Sequence, residues 1–156
     1  MRRFAIKAEI GDPRAEAFVF AAQKTMYRGR RIAVGDESFL FASDALRRTG
    51  LDLDLRSDAV RDAAWSSSVQ HHSAPDLLAS AVRATDRLVP DRRSAHYDEV
   101  LINNIYDVRA ALVGRLAARA RNAGDRQTYQ NILANRYPQE RREALRRLQD
   151  DAQAIR

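Results

Sequence analysis

Histidines in the middle of the chain are the first candidates for chemistry. His71 and His72 are adjacent, so on a helix their side chains would point roughly 100° apart and could not share a metal in the usual i, i+4 arrangement. His96 is the only other histidine, and the chain has no cysteine. The sequence therefore predicts no metal site. Because it contains neither a phosphate-binding P-loop nor a Gly-x-Gly-x-x-Gly motif, we also expect no cofactor.

Three consecutive serines, Ser66, Ser67 and Ser68, could suggest a nucleophile. No strand-turn-helix elbow surrounds them, and serines inside a helix usually donate hydrogen bonds back to their own backbone. We therefore expect these serines to be structural.

Carboxylates near the N-terminus are the candidates for a general acid, which glycoside cleavage needs together with a second carboxylate or a positioned water. The first 43 residues contain Glu9, Asp12, Glu16, Asp36 and Glu37. Each has an ordinary explanation as a strand-face charge, a helix cap, a first-turn acid or a turn residue. Glu16 and Glu37 are retained as weak candidates for a catalytic residue.

Arginines dominate the C-terminal third. Residues 109–147 contain ten arginines against three acids, a balance of +7. Arg115 and Arg119 are four residues apart and share a predicted helix face, and Arg142 and Arg146 form a second such pair. Stacked like charges would be relieved by an anionic partner, so these four arginines are the predicted binding residues.

Two alternatives limit this interpretation of the arginines. Glu140 and Glu143 could pair with them locally and leave only a solvated face. A nucleic-acid site would have aromatic side chains among the arginines for its bases to stack on, and only Tyr129 and Tyr137 are available for that role. Protein is therefore the preferred partner and nucleic acid the second possibility.

Composition bounds the class of protein. The 156 residues suffice for one domain with a core, and 45% of them are hydrophobic, which is typical of a globular protein. No segment approaches the roughly 20 apolar residues that a membrane span requires, so we expect no membrane association. Lys7 and Glu9 interrupt the N-terminal stretch before an apolar signal region forms, which predicts a cytoplasmic protein.

The hydrophobic pattern predicts an α+β protein that is mostly α. Residues 2–10 and 37–42 alternate like short strands, with a helix from residue 12 to 26 between them. These elements form a small predicted strand-helix-strand cap at 1–43, and residues 44–156 form a lobe of about five helices. The lobe's central helix, residues 57–72, carries the predicted structural residues Trp65, Gln70 and His71.

Part of the cap resembles a known fold. Residues 26–43, MYRGRRIAVGDESFLFAS, are similar to a stretch of PUA-like barrels of the ASCH or EVE kind, in which a basic segment leads into a Gly-Asp turn and a strand of alternating aromatics. This resemblance implies a nucleic-acid-binding ancestry. It covers at most the first 43 residues.

The lobe resembles the helical part of lysozyme-like glycoside hydrolases of the phage-type and chitosanase-like kinds. Three segments carry the resemblance, AVRDAAWSSSVQH at 59–71, LINNIY at 101–106 together with Arg109, and RYPQERREAL at 136–145. It implies action on peptidoglycan or a related polysaccharide. In that family the general-acid glutamate precedes the lobe, where this chain has the PUA-like piece. The chain is therefore interpreted as a chimera of two partial families.

Three functional hypotheses follow from the sequence. The preferred one is a non-catalytic binding protein, such as a small inhibitor, an antidote or an accessory factor. The first alternative is a lysozyme-like hydrolase whose acid, Glu16 or Glu37, comes from the cap. The second alternative is an RNA- or DNA-binding module that uses the arginines.

Overall fold

The described part of the molecule is helical throughout. The computed structural model describes residues 36–71 and 73–154, with side chains for 38–71 and 73–153. These residues form six α-helices and no strand. The helices are α1 (Asp36–Arg48), α2 (Asp58–Gln70), α3 (Ala74–Leu88), α4 (Tyr97–Arg119), α5 (Ala123–Asn131) and α6 (Tyr137–Ala154).

Helix α1 corrects the predicted fold class. The alternation of Phe39 and Phe41 predicted a strand at 37–42, but the segment is helical. Ala42 and Leu46 are buried and Phe39 packs against the core, while Phe41 is 64% exposed. The spacing of the inward positions is the i, i+3, i+7 pattern of a helix face, so the helical period prevailed over a short alternation. The predicted strand at 2–10 and the helix at 12–26 lie outside the described residues, and the predicted boundary at residue 43 falls inside α1.

Local signals set the connection from α1 to α2. Gly50 lies two residues after the end of α1 and has a φ of +81°, a left-handed conformation that glycine adopts without strain. Asp52 then caps a single 3₁₀ turn at Leu53–Leu55 by accepting a hydrogen bond from the Asp54 N–H. The predicted connector at 51–55 is thus a short, capped turn.

Helix α2 has the features that the sequence predicts for a thin central helix. The Ser57 hydroxyl caps it by accepting from the Val60 N–H. Ser67 and Ser68 donate to the carbonyls of Ala63 and Ala64 four residues earlier, at 2.8 and 2.9 Å. Small residues let neighbouring backbones approach, and α2 packs against α1, α3, α4 and α6. The helical-lobe part of the prediction is confirmed.

Helix α4 packs against most of the other elements, namely α2, α3, α5 and α6. The apolar spacing in the sequence places six residues on one stripe of this helix: Val100, Leu101, Ile105, Val108, Leu112 and Leu116. Leu101 and Ile105 are buried and Val108 and Leu112 pack against the core, but Leu116 is 38% exposed. The fully buried face overlaps this stripe only in part. It consists of Tyr97, Leu101, Ile102, Ile105, Tyr106, Arg109 and Val113.

Polar contacts hold the connection between α3 and α4 against the lobe. Arg92 donates to both carboxylate oxygens of Asp86, at 2.9 and 2.7 Å, and to the Thr49 carbonyl at 3.2 Å. The buried Tyr97 hydroxyl also donates to Asp86, at 2.8 Å. The Arg92 hydrogen bonds lower the pKa of Asp86 below its ordinary value.

The C-terminal elements differ from the prediction in one detail. The sequence places Gly124 at the end of α4 and predicts Asp125 as the cap of the next helix, but the N-cap of α5 is Asn122, whose side-chain oxygen accepts from the Asp125 N–H. A π-helical turn at Ile132–Arg136 leads directly into α6. Within the described ranges, no helix combines the length and the apolar character needed to cross a bilayer.

Truncation of a buried core leucine should lower the free energy of unfolding strongly. Leu78 is 1% exposed, whereas Leu88, at the end of the same helix, is 69% exposed. We expect Leu78→Ala to lower the free energy of unfolding by about 2–5 kcal/mol through lost burial and a cavity. Leu88→Ala should change it by less than about 0.5 kcal/mol. Urea unfolding of the full chain followed by circular dichroism measures both, and equal losses would contradict this core.

Candidate functional site

A group of polar side chains lies inside the lobe, where α2, α4 and α6 meet. At its centre Arg109 of α4 is wholly buried. Its Nη2 donates to Gln70 Oε1 at 2.5 Å, to Glu140 Oε2 at 3.1 Å and to Ser66 Oγ at 3.3 Å. We name this group the interior polar cluster. Its members are Ser66, Gln70, His71, Tyr106, Arg109, Arg136, Tyr137 and Glu140.

Two tyrosine rings flank the Arg109 guanidinium. Its central carbon lies 4.8 Å from the ring centroid of Tyr106 and 4.5 Å from that of Tyr137. The two rings meet edge to face, with centroids 6.3 Å apart. Arg109 Nε and Nη1 have no hydrogen-bond partner in the described part of the chain. The aromatic faces supply cation–π attraction that offsets part of the cost of burying this charge.

Glu140 neutralises the buried charge and is fully engaged in doing so. Its Oε2 accepts from Arg109, and its Oε1 accepts from Arg136 Nε at 2.7 Å. Only about 9% of Glu140 is exposed. Both carboxylate oxygens of Glu140 accept hydrogen bonds from guanidinium groups, so this side chain is engaged in charge pairing within the lobe.

His71 joins the cluster at the C-terminal end of α2. Its Nε2 lies 3.1 Å from the Tyr137 hydroxyl oxygen, and the Tyr137 O–H donates to Gln70 Oε1 at 3.3 Å. Burial, reinforced by the positive charges of Arg109 and Arg136, lowers the pKa of His71 to about 4. His71 is therefore neutral at pH 7. Burial also raises the pKa of Tyr106 to about 12 and raises that of Tyr137.

The cluster is structural in character. Its acid is bound to two arginines, its histidine is neutral, and both tyrosines keep their protons. Among the described residues, no group of histidine, cysteine, aspartate or glutamate side chains could hold a metal ion. These contacts join three helices that are distant in sequence.

The predicted binding arginines lie outside this cluster. Arg115 and Arg119 are exposed near the C-terminal end of α4, and Arg142 and Arg146 are exposed on α6. None of the four forms an ion pair with a carboxylate in the described part of the chain. No described contact joins the α4 pair to the α6 pair.

Of the other predicted site residues, some lie in the interior polar cluster and some lie elsewhere. Gln70 and His71 lie in the interior polar cluster, and Trp65 is a partly exposed residue of α2. Glu37 belongs to the first turn of α1, and Glu16 lies outside the described residues. The structure therefore brings two of the three predicted structural residues to one place.

Sequence reasoning missed the roles of Arg109 and Glu140. From the sequence, Arg109 is one of the arginines of the basic C-terminal third and part of the lysozyme-like pattern, and Glu140 is only a possible local partner of neighbouring arginines. A signal was present, because Ile105 and Val113 stand four residues before and after Arg109 and place it on an apolar face. A charge in the middle of such a face needs a buried partner.

The chain matches one known protein family over most of its length. Residues 36–141, which are 106 of the 156 residues, match the family described as type VI secretion system spike protein VgrG3-like, C-terminal. The chain belongs to this family. No curated protein and no solved structure matches it significantly.

Membership of the VgrG3-like C-terminal family corrects both resemblances drawn from the sequence. The match covers the first two segments that suggested a lysozyme-like hydrolase and residues 136–141 of the third, so that assignment is wrong. Those segments supply Gln70, Arg109's neighbour Tyr106 and Glu140 to the interior polar cluster, and their pattern reflects packing within this lobe. The PUA-like assignment is also wrong, because its supposed strand at 37–42 is helical. The interpretation of the chain as a chimera of these two families is therefore also wrong.

The charge balance of the cluster can be tested at Glu140. Glu140→Gln keeps the shape of the side chain but leaves Arg109 and Arg136 without their carboxylate. We expect the free energy of unfolding to fall by about 3 kcal/mol, because an uncompensated buried charge is costly. Glu143→Gln, on the same helix, loses only a hydrogen bond from Gln139 and should cost less than about 0.5 kcal/mol. Similar losses in chemical denaturation of the two variants would show that Glu140 has no special role.

The lowered pKa of His71 predicts acid sensitivity. Its folded pKa of about 4 lies below the unfolded value of 6.5, so the unfolded chain binds more protons between these values. Stability contributed by neutral His71 is therefore complete above about pH 6.5 and is lost as the pH falls through this window. With allowance for partial exposure, we expect a loss of about 1–2 kcal/mol.

Urea unfolding of the full chain at several pH values measures this loss. His71→Gln should flatten the dependence of stability on pH between about pH 6.5 and pH 4. His96→Gln is the control, because His96 is an exposed residue paired with Glu99 on the surface. An unchanged pH dependence in His71→Gln would contradict the assignment.

Proposed function

We propose that this chain is a non-catalytic domain of a type VI secretion spike protein and that it acts by binding another protein. The observation that carries the proposal is membership of the VgrG3-like C-terminal family over residues 36–141. A secretion spike is an assembly, and a domain that belongs to one has protein surfaces as its nearest neighbours.

The use of the interior polar groups supports a binding role. Glu140 is buried and His71 is half-buried, and both form hydrogen bonds within the lobe. General acid–base catalysis requires such groups to reach a substrate proton. In the described residues these two groups instead hold α2, α4 and α6 together.

The surface offers contact sites for a protein partner. Leu40 and Phe41 are 59% and 64% exposed on α1, Leu88 is 69% exposed on α3, and Leu116 is 38% exposed on α4. Large apolar side chains and arginines are the residues that anchor protein interfaces. These four positions are therefore suitable for mapping where a partner binds.

Site-specific photo-cross-linking tests the proposal. A photo-cross-linking amino acid replaces Leu40, Phe41, Leu88 or Leu116 one at a time in the full chain, expressed in cells that assemble a type VI secretion spike. We expect at least one position to give a discrete protein adduct of a spike component or a protein it carries. Buried Leu78 is the negative control position. Absence of an adduct at all four exposed positions would contradict a binding role.

A second measurement addresses catalysis directly. The purified chain is incubated with peptidoglycan, and newly formed reducing ends are counted for the wild type, Glu16→Gln and Glu37→Gln. We expect no release above the buffer control. Release by the wild type that is lost in either variant would overturn the non-catalytic assignment.

A further inference from the structure

The end of α4 and the start of α5 carry four exposed arginines, Arg115, Arg119, Arg121 and Arg126, which we name the arginine corner. We propose that the arginine corner is a docking surface for an acidic patch on a protein partner. This inference rests on the proposed function and specifies which surface and which partner chemistry would serve it.

Backbone geometry brings the four arginines to one place. Arg115 and Arg119 are four residues apart on α4 and are neighbours on its surface. Arg121 follows directly after the helix ends. Arg126 lies on α5, but its Nη2 donates to the Ala120 carbonyl at 3.2 Å, so its guanidinium is folded back onto the end of α4.

The arginine corner groups arginines that have no carboxylate partner in the described part of the chain, as Arg142 and Arg146 on α6 also have none. Arg115, Arg119, Arg121 and Arg126 form no ion pair with any described acid. Many other arginines do form such pairs: Arg47, Arg56, Arg61, Arg92, Arg109, Arg136, Arg141 and Arg147. The lobe therefore neutralises much of its positive charge internally but leaves this corner open.

The one acid within the corner is engaged elsewhere. Asp125 accepts a hydrogen bond from Asn122 Nδ2 at 2.7 Å, and its own N–H is capped by Asn122 Oδ1 at 2.7 Å. Residues 115–126 contain four arginines and this single aspartate, a net charge of +3. The carboxylate serves the cap of α5, so the positive charge of the corner is directed to solvent.

The second predicted pair, Arg142 and Arg146, lacks this imbalance. Residues 140–151 contain four arginines and four acids, and without Glu140, which is engaged in the interior polar cluster, the net charge of this stretch is only +1. Charge alternates along this part of α6, which is typical of a solvated helix face. The structure thus separates the two predicted pairs, and it favours Arg115 and Arg119 over Arg142 and Arg146 for binding an anion.

The aromatic residues favour a protein partner over a nucleic acid. Tyr137 is buried between α4 and α6, and Tyr129 packs against the core, so the two tyrosines that could have stacked on bases are used internally. Leu116 is instead 38% exposed within the corner. An apolar side chain among guanidinium groups, which bind carboxylates through two parallel hydrogen bonds, is suited to an acidic protein surface.

Cross-linking from within the corner tests this inference. A photo-cross-linking amino acid replaces Leu116 in the full chain, in cells that assemble a type VI secretion spike. The yield and identity of the adduct are compared between this background, Arg115→Glu/Arg119→Glu and Arg142→Glu/Arg146→Glu. Each double substitution changes the net charge by the same amount, so the α6 variant controls for a general electrostatic effect. Thermal unfolding of each variant establishes that it is folded.

We expect a protein adduct whose cross-linked peptide is rich in aspartate and glutamate. Its yield should fall by about tenfold or more in Arg115→Glu/Arg119→Glu and remain within about twofold in Arg142→Glu/Arg146→Glu. If the α4 variant does not fold, Arg121→Glu/Arg126→Glu gives the same comparison. Equal yields in all folded variants would overturn the docking surface.

The remaining outcomes separate this inference from the proposed function. A nuclease-sensitive adduct would overturn the choice of a protein partner. No adduct from position 116, with adducts from position 40, 41 or 88, would overturn the arginine corner and leave the binding role intact. No adduct from any exposed position would contradict both.

Discussion

The buried charge of Arg109 is the constraint on which the packing of this lobe depends. A guanidinium without access to water needs hydrogen bonds and a counter-charge, and α4 alone supplies neither. Gln70 from α2 and Glu140 from α6 supply both. Each of these helices must therefore adopt the register that brings its polar group to the same point. The rings of Tyr106 and Tyr137 enclose the charge on its other sides.

This arrangement requires close helix packing as well as polar pairing. Helix α2 presents Ala63, Ala64 and Ser67 to its neighbours, and the Ser67 hydroxyl is satisfied by its own helix. Small side chains let α4 approach near enough for Ser66 and Gln70 to reach Arg109. Apolar packing and charge pairing thus act on the same interface, which explains why α2 is both central and poor in bulky residues.

Charged and polar groups have different partners inside the lobe and on its surface. Inside the lobe they pair with one another, as Glu140 does with two arginines and His71 with Tyr137. The groups available for the proposed binding role are on the surface. They are the exposed apolar side chains and the arginines that have no carboxylate partner among the described residues. A member of the VgrG3-like C-terminal family built in this way is suited to contact a partner through its surface.

The sequence by itself determined the local features of this protein. The end of α1 near Gly50 and the hydrogen bond of Ser67 to its own helix depend on residues close in the chain and could be predicted from them. The sequence offered Ser57 or Asp58 as the cap of α2, and the structure uses Ser57. It also predicted the helical lobe, because apolar periodicity extends over whole helices. The short alternation at 37–42 was misleading, since a few residues carry both the period of a strand and that of a helix.

Only the tertiary structure decided which charges are buried and which are free. Arg109 is paired with Glu140, 31 residues away, and with Gln70, 39 residues away, so no local pattern links them. Arg115 and Arg142 looked equivalent in sequence, but the fold places Arg115 in a corner whose one acid caps a helix and Arg142 on a helix that carries several acids. Burial and pairing are properties of several helices together, which is why the sequence predicted the elements better than the site.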